Sequence, residues 1–259
     1  VAGKGVSESS DTKVFVHRIP LKWLIGEEAK ADDSRYWIEK IYDEITEIGK
    51  ISFLSSGSES ACVVDDSGYV FCWGDNSSGQ LGTEEGENNE FGITSAVPVP
   101  VDVSGDIGGK KITELSSGNG HACAVEESGK VYCWGDNQYG QLGLAGEGLC
   151  FYPVFLESLE NEKITKLSAG ESFSCAVNEK GVVFCWGINL SGQLGDGAEV
   201  QDRNTPEPIE MSGILNGKLI KDVSGGFKHA CSVADDGGVY CWGGNLYGQL
   251  GDGNGGENG

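Results

Sequence analysis

The chain has 259 residues, with 42 glycines and only 6 prolines, so it is long enough for a sizeable core and rich in tight turns. Forty acidic residues against eighteen basic ones give a net charge of −22, and Lys and Arg cluster nowhere. That disfavours nucleic acid and anionic membrane surfaces as partners, and no stretch approaches the roughly 18 apolar residues that cross a bilayer, so direct membrane insertion is not expected.

In chain order, residues 3–10 form a Gly/Ser-rich start, and residues 14–24 read as an apolar strand that contains His17 and Pro20. Residues 27–49 read as a helical insertion. Asp33 or Ser34 caps it, Ile38, Ile41, Ile45 and Ile48 recur at helical spacing, and Gly49 ends it. Its apolar face is expected to bury against the rest of the fold.

From there on the sequence repeats. Four segments of matching length begin at Ala61, Ala122, Ser174 and Ala230, and each ends in W-G-x-N-x-x-G-Q-L-G. Their tryptophans, Trp73, Trp134, Trp186 and Trp242, lie 61, 52 and 56 residues apart. A period near fifty in a strand-rich chain predicts the blades of a β-propeller. The repeat units span 1–82, 83–143, 144–195 and 196–259, the first holding the insertion.

Each repeat core reads as a hairpin. In the second copy the apolar runs 122–125 and 131–134 flank Glu126-Glu127-Ser128-Gly129-Lys130, a turn in which the glycine takes positive φ. A further strand precedes each hairpin, at 51–54, 112–115, 164–167 and 219–223, and runs into a Ser-x-Gly turn. Pro-flanked stretches at 97–103, 152–156 and 206–211 come before three of these and are expected to complete about four strands per unit.

Eight of the nine cysteines fall into pairs ten residues apart: Cys62 and Cys72, Cys123 and Cys133, Cys175 and Cys185, Cys231 and Cys241. With the second hairpin centred on Ser128, Cys123 lies opposite Cys133, within reach of a disulfide. Disulfides are favoured over reduced core thiols, and both over a zinc site, because the spacing is not that of a metal knuckle and the chain has three histidines. Systematic pairing implies an oxidising compartment, so the expected setting is extracellular or at the cell surface. Cys150 is left over. It falls in the stretch Gly148-Leu149-Cys150-Phe151-Tyr152, read as a variable loop, and Cys150, Phe151 and Tyr152 are the candidate interface residues.

The repeated Asn and Gln of the tail are read as turn and packing residues, not as a ligand ring. Asn76 and Asn189 also lie in N-x-S sequons, where the turn role is again the expected one. The acidic loops after each Q-L-G are solvated sites for binding specificity. Calcium is the one ion their side chains suit, yet none shows the ligand spacing of a known calcium loop, and no cofactor is expected. His121 and His229 hold matching repeat positions and so read as architectural. No catalytic triad, phosphate loop or dinucleotide fingerprint is present.

The repeats resemble those of the regulator of chromosome condensation family, over about residues 51–251, and their paired cysteines resemble its secreted and cell-surface members. The resemblance implies an all-β propeller of four-stranded blades, with these four repeats forming part of a larger, about seven-bladed one. It points to a non-enzymatic module for protein recognition, structure or self-assembly, possible in a surface or filamentous assembly. The alternatives it leaves are a secreted protein inhibitor on the same fold and a guanine-nucleotide exchange factor of the nuclear type.

Overall fold

The computed structural model describes residues 50–83, 94–105, 107–197 and 201–255. The expected strand at 14–24 and helix within 27–49 lie outside them. The described chain is all-β apart from two short 3₁₀ turns. The first sheet holds β1 (Ile51–Ser56), β2 (Ser60–Asp65), β3 (Val70–Gly74) and β4 (Ser95–Pro100). The second holds β5 (Ile112–Ser117), β6 (His121–Glu126), β7 (Val131–Asp136) and β8 (Leu149–Phe155). In the third are β9 (Ile164–Ala169), β10 (Phe173–Asn178), β11 (Val183–Gly187) and β12 (Arg203–Pro208). The fourth has three strands among the described residues, β13 (Ile220–Gly225), β14 (His229–Ala234) and β15 (Val239–Gly243). All pair antiparallel in sequence order, and the first strands of neighbouring sheets lie side by side, as the blades of a propeller do.

The hairpins form for the local reasons the sequence suggests. Gly129 adopts φ 94°, its N–H donates to the Glu126 carbonyl at 2.8 Å, and the Glu126 N–H donates to Lys130 at 3.0 Å. A three-residue loop closed in this way fixes the register. Counting back along the ladder, Cys123 then faces Cys133, and the other three pairs follow the same rule. All four are disulfide-bonded, with Cα atoms 4.0 to 4.1 Å apart.

Strand alternation gives each hairpin two apolar faces, and stacking buries the faces that meet a neighbouring blade. Cys62, Val64, Val70 and Cys72 meet Ala122, Ala124, Tyr132 and Trp134 of the second blade. Cys123, Val125, Val131 and Cys133 meet Ala176, Phe184 and Trp186 of the third. The pattern repeats from the third blade to Ala230, Tyr240 and Trp242 of the fourth. The first three disulfides therefore sit within the interblade layers, and Cys231–Cys241 lies on the half-buried trailing face of the fourth hairpin.

The fourth strand of each blade corrects the sequence reading. The Pro-flanked stretches do not join the sheet of the hairpin that follows them; β4, β8 and β12 pair with β3, β7 and β11, the strands that precede them. The cause is the edge geometry. The outer strand must lie beside the Trp-bearing strand, and the chain reaches that edge immediately after the tail turn. Each of the first three sheets thus draws its last strand from the next sequence unit, which ties successive units together. The edge position also suits Pro98, Pro153 and Pro206, which cannot donate to a ladder.

Candidate interaction surface

Each blade sends its Ser-x-Gly turn and its tail turn to the same end of the strands, while the hairpin loops lie at the other end. Nearest the stacked first strands, the turns form a shallow groove lined by Ser58, Ser117, Asn119, Gly170, Glu171 and Phe227, among others. A β-carbon on Gly57, Gly118 or Gly170 would lie 2.1, 2.4 or 2.7 Å from the carbonyl oxygen of the matching glycine in the next blade. Only glycine permits that approach. The serines before them carry a ladder: the hydroxyls of Ser55, Ser116 and Ser168 accept the N–H of Ser117, Ala169 and Gly225 at 2.8 to 2.9 Å. Burial pushes the Glu171 carboxyl up, and Lys228 opposes the shift.

The tail turns lie outside this ring. Asn76, Asn137, Asn189 and Asn245 each accept the N–H of the tail leucine through Oδ1, at 3.0 to 3.1 Å. Gln80, Gln141, Gln193 and Gln249 each accept, through Oε1, the N–H of the second variable residue at 2.8 to 2.9 Å. The Gly N–H closes each N-x-x-G turn onto the Asn carbonyl at 3.0 to 3.2 Å, the residue pattern of a type I turn. The Gln carbonyls face the next blade, where Trp134, Trp186 and Trp242 donate indole N–H groups to Gln80, Gln141 and Gln193 at 2.8 to 3.0 Å. The repeated polar residues are therefore engaged by the framework, as the sequence reading held. Asn76 and Asn189 are fully buried, and each amide nitrogen donates within its own tail, to the Thr83 carbonyl and to Asp196.

His121 is fully buried and packs its ring on Gly118. Ser174 directs its hydroxyl proton to the Gln141 carbonyl at 2.9 Å, so His121 Nε2, 2.9 Å from that hydroxyl, must be the donor. Nδ1 is then an acceptor without a partner. Burial lowers the His121 pKa to about 4. Phe173 holds the same position in the third blade, ring against Gly170, which identifies the site as a packing position and not a base.

The structure moves Cys150 out of the loop in which the sequence reading put it. Leu149 and Cys150 open β8, and Cys150 faces Gly135 as Ser95 faces Gly74 and Arg203 faces Gly187. The loop reading failed because the irregular register of these outer strands hides their start. Cys150 is half-buried at the edge of the layer between the second and third blades, where burial pushes its thiol up. Phe151 would touch a side chain on Gly79 and so belongs to the blade contact, whereas Tyr152 is exposed. Among the described residues, no three His, Cys, Asp or Glu side chains converge as metal ligands, and no helix is long and apolar enough to cross a membrane.

Antiparallel blades, stacked face to face through apolar layers and sealed by Trp–Gln bonds, define a β-propeller. Within that class, RCC1-like domains match residues 33–258, and the chain belongs to this family. It is 32% identical over 205 residues to the ultraviolet-B receptor UVR8 of Arabidopsis thaliana, covering 79% of this chain and 44% of that protein. To the E3 ubiquitin-protein ligase HERC2 of Homo sapiens it is 30% identical over 217 residues, or 83% of this chain and 4% of that protein. The chain thus spans less than half the length of these relatives. Human WBSCR16 shares the fold with TM-score 0.69 and 24% identity, over 80% of this chain and 50% of that one. Yeast RCC1 (Prp20), solved bound to Kap60, does so with TM-score 0.65 and 23% identity, over 78% and 45%.

Proposed function

We propose that the chain is a non-catalytic propeller module that recognises protein partners in an oxidising setting, outside the cell or at its surface. The observation that carries the reading is that all four hairpin cysteine pairs are disulfide-bonded, three of them inside interblade layers. Thiols in those positions would gain nothing from their directly opposed register, whereas bridges staple the two strands of each hairpin. Recognition is supported by a framework whose repeated polar groups are engaged internally, leaving exposed side chains as the means of contact. The yeast RCC1 bound to Kap60 is a protein of this fold holding another protein. Tyr152, exposed beside the half-buried Cys150, is a second contact point within this reading, open to self-assembly.

The test is thiol labelling of the intact protein from its natural source, alkylated before reduction. One labelled cysteine, Cys150, with the other eight recovered as the four neighbouring pairs, is the expected result. Labelling of the hairpin cysteines would sink the oxidising setting, and a disulfide-linked dimer through Cys150 on a non-reducing gel would establish the self-assembly contact.

A further inference from the structure

Seven of the ten tail positions are the same in all four copies, and the framework uses them. Of the remaining three, two are the central residues of the N-x-x-G turn: Ser77 and Ser78, Gln138 and Tyr139, Leu190 and Ser191, Leu246 and Tyr247. They are the outer corner of a turn whose second residue has its backbone N–H engaged in every copy. In the first two blades Asp75 and Asp136 take the N–H of the first residue, at 3.2 and 2.9 Å, and Gln takes that of the second in all four. What these positions offer a partner is chiefly their side chains. Three blades place large apolar groups there. Tyr139 and Leu246 are exposed, Leu190 is 69% exposed and Tyr247 89%. Phe227, in the adjoining Ser-x-Gly turn, is exposed as well. Water-exposed apolar groups held on rigid turns cost little entropy to bury and mark contact sites.

The surrounding charge indicates the partner. Glu59, Asp75, Asp136, Glu147, Glu171 and Asp252 lie in the loops at this end of the strands. The described basic residues there are Lys228, and Arg203, which is held by Asp196 at 2.9 Å and Glu207 at 3.4 Å. Lysines such as Lys110, Lys130, Lys163, Lys180 and Lys218 lie at the opposite, hairpin end. Among the described residues there is thus an acidic end bearing apolar turns, and an end where acids and lysines mix.

We propose that the tail turns of the second, third and fourth blades form one docking surface, anchored by Tyr139, Leu190, Leu246 and Tyr247, for a protein segment whose aliphatic or aromatic anchors are flanked by Lys and Arg. The surface rests on the recognition role proposed above and names its site and the chemistry of its partner. The acidic surround speeds the encounter with a basic segment, and the turn residues hold it.

The test is selection of a random peptide library displayed on phage against the intact chain, followed by affinity measurement of the enriched peptides. The comparison is the variant carrying Tyr139→Ser, Leu190→Ser, Leu246→Ser and Tyr247→Ser, whose thermal unfolding should match that of the parent because no framework bond uses these side chains. Enriched peptides should combine Lys or Arg with bulky apolar residues, weaken as salt rises, and lose roughly tenfold or more of their affinity for the variant, as loss of anchors does. Peptides that bind both forms equally, or that carry acidic residues, would overturn this surface while leaving recognition elsewhere intact. If nothing is enriched, the recognition role fails with it.

Discussion

The trailing faces of the third and fourth hairpins carry the same residues and meet different surroundings. Cys175, Val177, Val183 and Cys185 are all but fully buried against the fourth blade. Their counterparts Cys231 and Cys241 are half-buried, Val233 is exposed and Val239 is 66% exposed. Identical local sequence therefore yields a core layer in one place and a wet face in the other. The contribution of a repeat residue comes from the neighbouring blade, as expected of architectures built by stacking.

Paired substitutions sharpen that contrast. The largest difference is expected at tryptophan. Trp186 is fully buried and bonded to the Gln141 carbonyl, so Trp186→Ala should cost about 3–5 kcal/mol. Trp242 makes the matching bond to Gln193 but remains half-buried, so Trp242→Ala should cost clearly less. Urea unfolding of the two variants measures both, and equal losses would mean that the blade interfaces do not set the energetics.

Acid provides the next probe of a sealed interface. His121 lies between the second and third blades with its pKa lowered to about 4 by burial, from an ordinary value of 6.5. Between those values the unfolded chain takes up a proton that the folded chain refuses, so the stability present above pH 6.5 is lost as pH falls towards 4. The full effect is about 3 kcal/mol. Replacing His121 by Phe, as at Phe173, should flatten that part of the stability profile, read by denaturant unfolding at pH 7, 5.5 and 4. A slope unchanged by the substitution would assign the acid sensitivity to other groups.

The disulfides should differ least. Each closes a ten-residue separation, for which chain entropy gives roughly 2–3 kcal/mol whichever blade holds it. Removing Cys175–Cys185 as a pair of alanines also opens space in a buried layer, so it should cost somewhat more than removing Cys231–Cys241. Thermal unfolding of the two double variants distinguishes them.

Much of this was legible in the sequence because it depends on neighbours along the chain. The turn around Gly129 sets the hairpin register, and the register alone brings Cys123 to Cys133. The tail asparagines and glutamines were readable as turn residues for the same reason, since Asn76 reaches only as far as Leu81 and Thr83. The candidate surface was read less well. Polarity and irregular length mark the loops after Q-L-G and residues 148–152, whereas the two variable positions lie inside an otherwise constant turn. Their signal was present as variation within constancy, but only exposure shows that those side chains face water.

What the sequence by itself determined is the repeat, the hairpin and its cysteine pairing, all products of short-range backbone geometry and period-two alternation. The tertiary structure alone decided which sheet receives each Pro-bearing strand, which carbonyl each tryptophan finds, and why the inner glycines cannot carry a β-carbon. The tryptophan and glycine contacts join residues roughly fifty positions apart in different blades, as Trp134 joins Gln80 and Gly118 meets Gly170. Local pattern cannot encode them, because the partner of each face is supplied only when the next blade stacks.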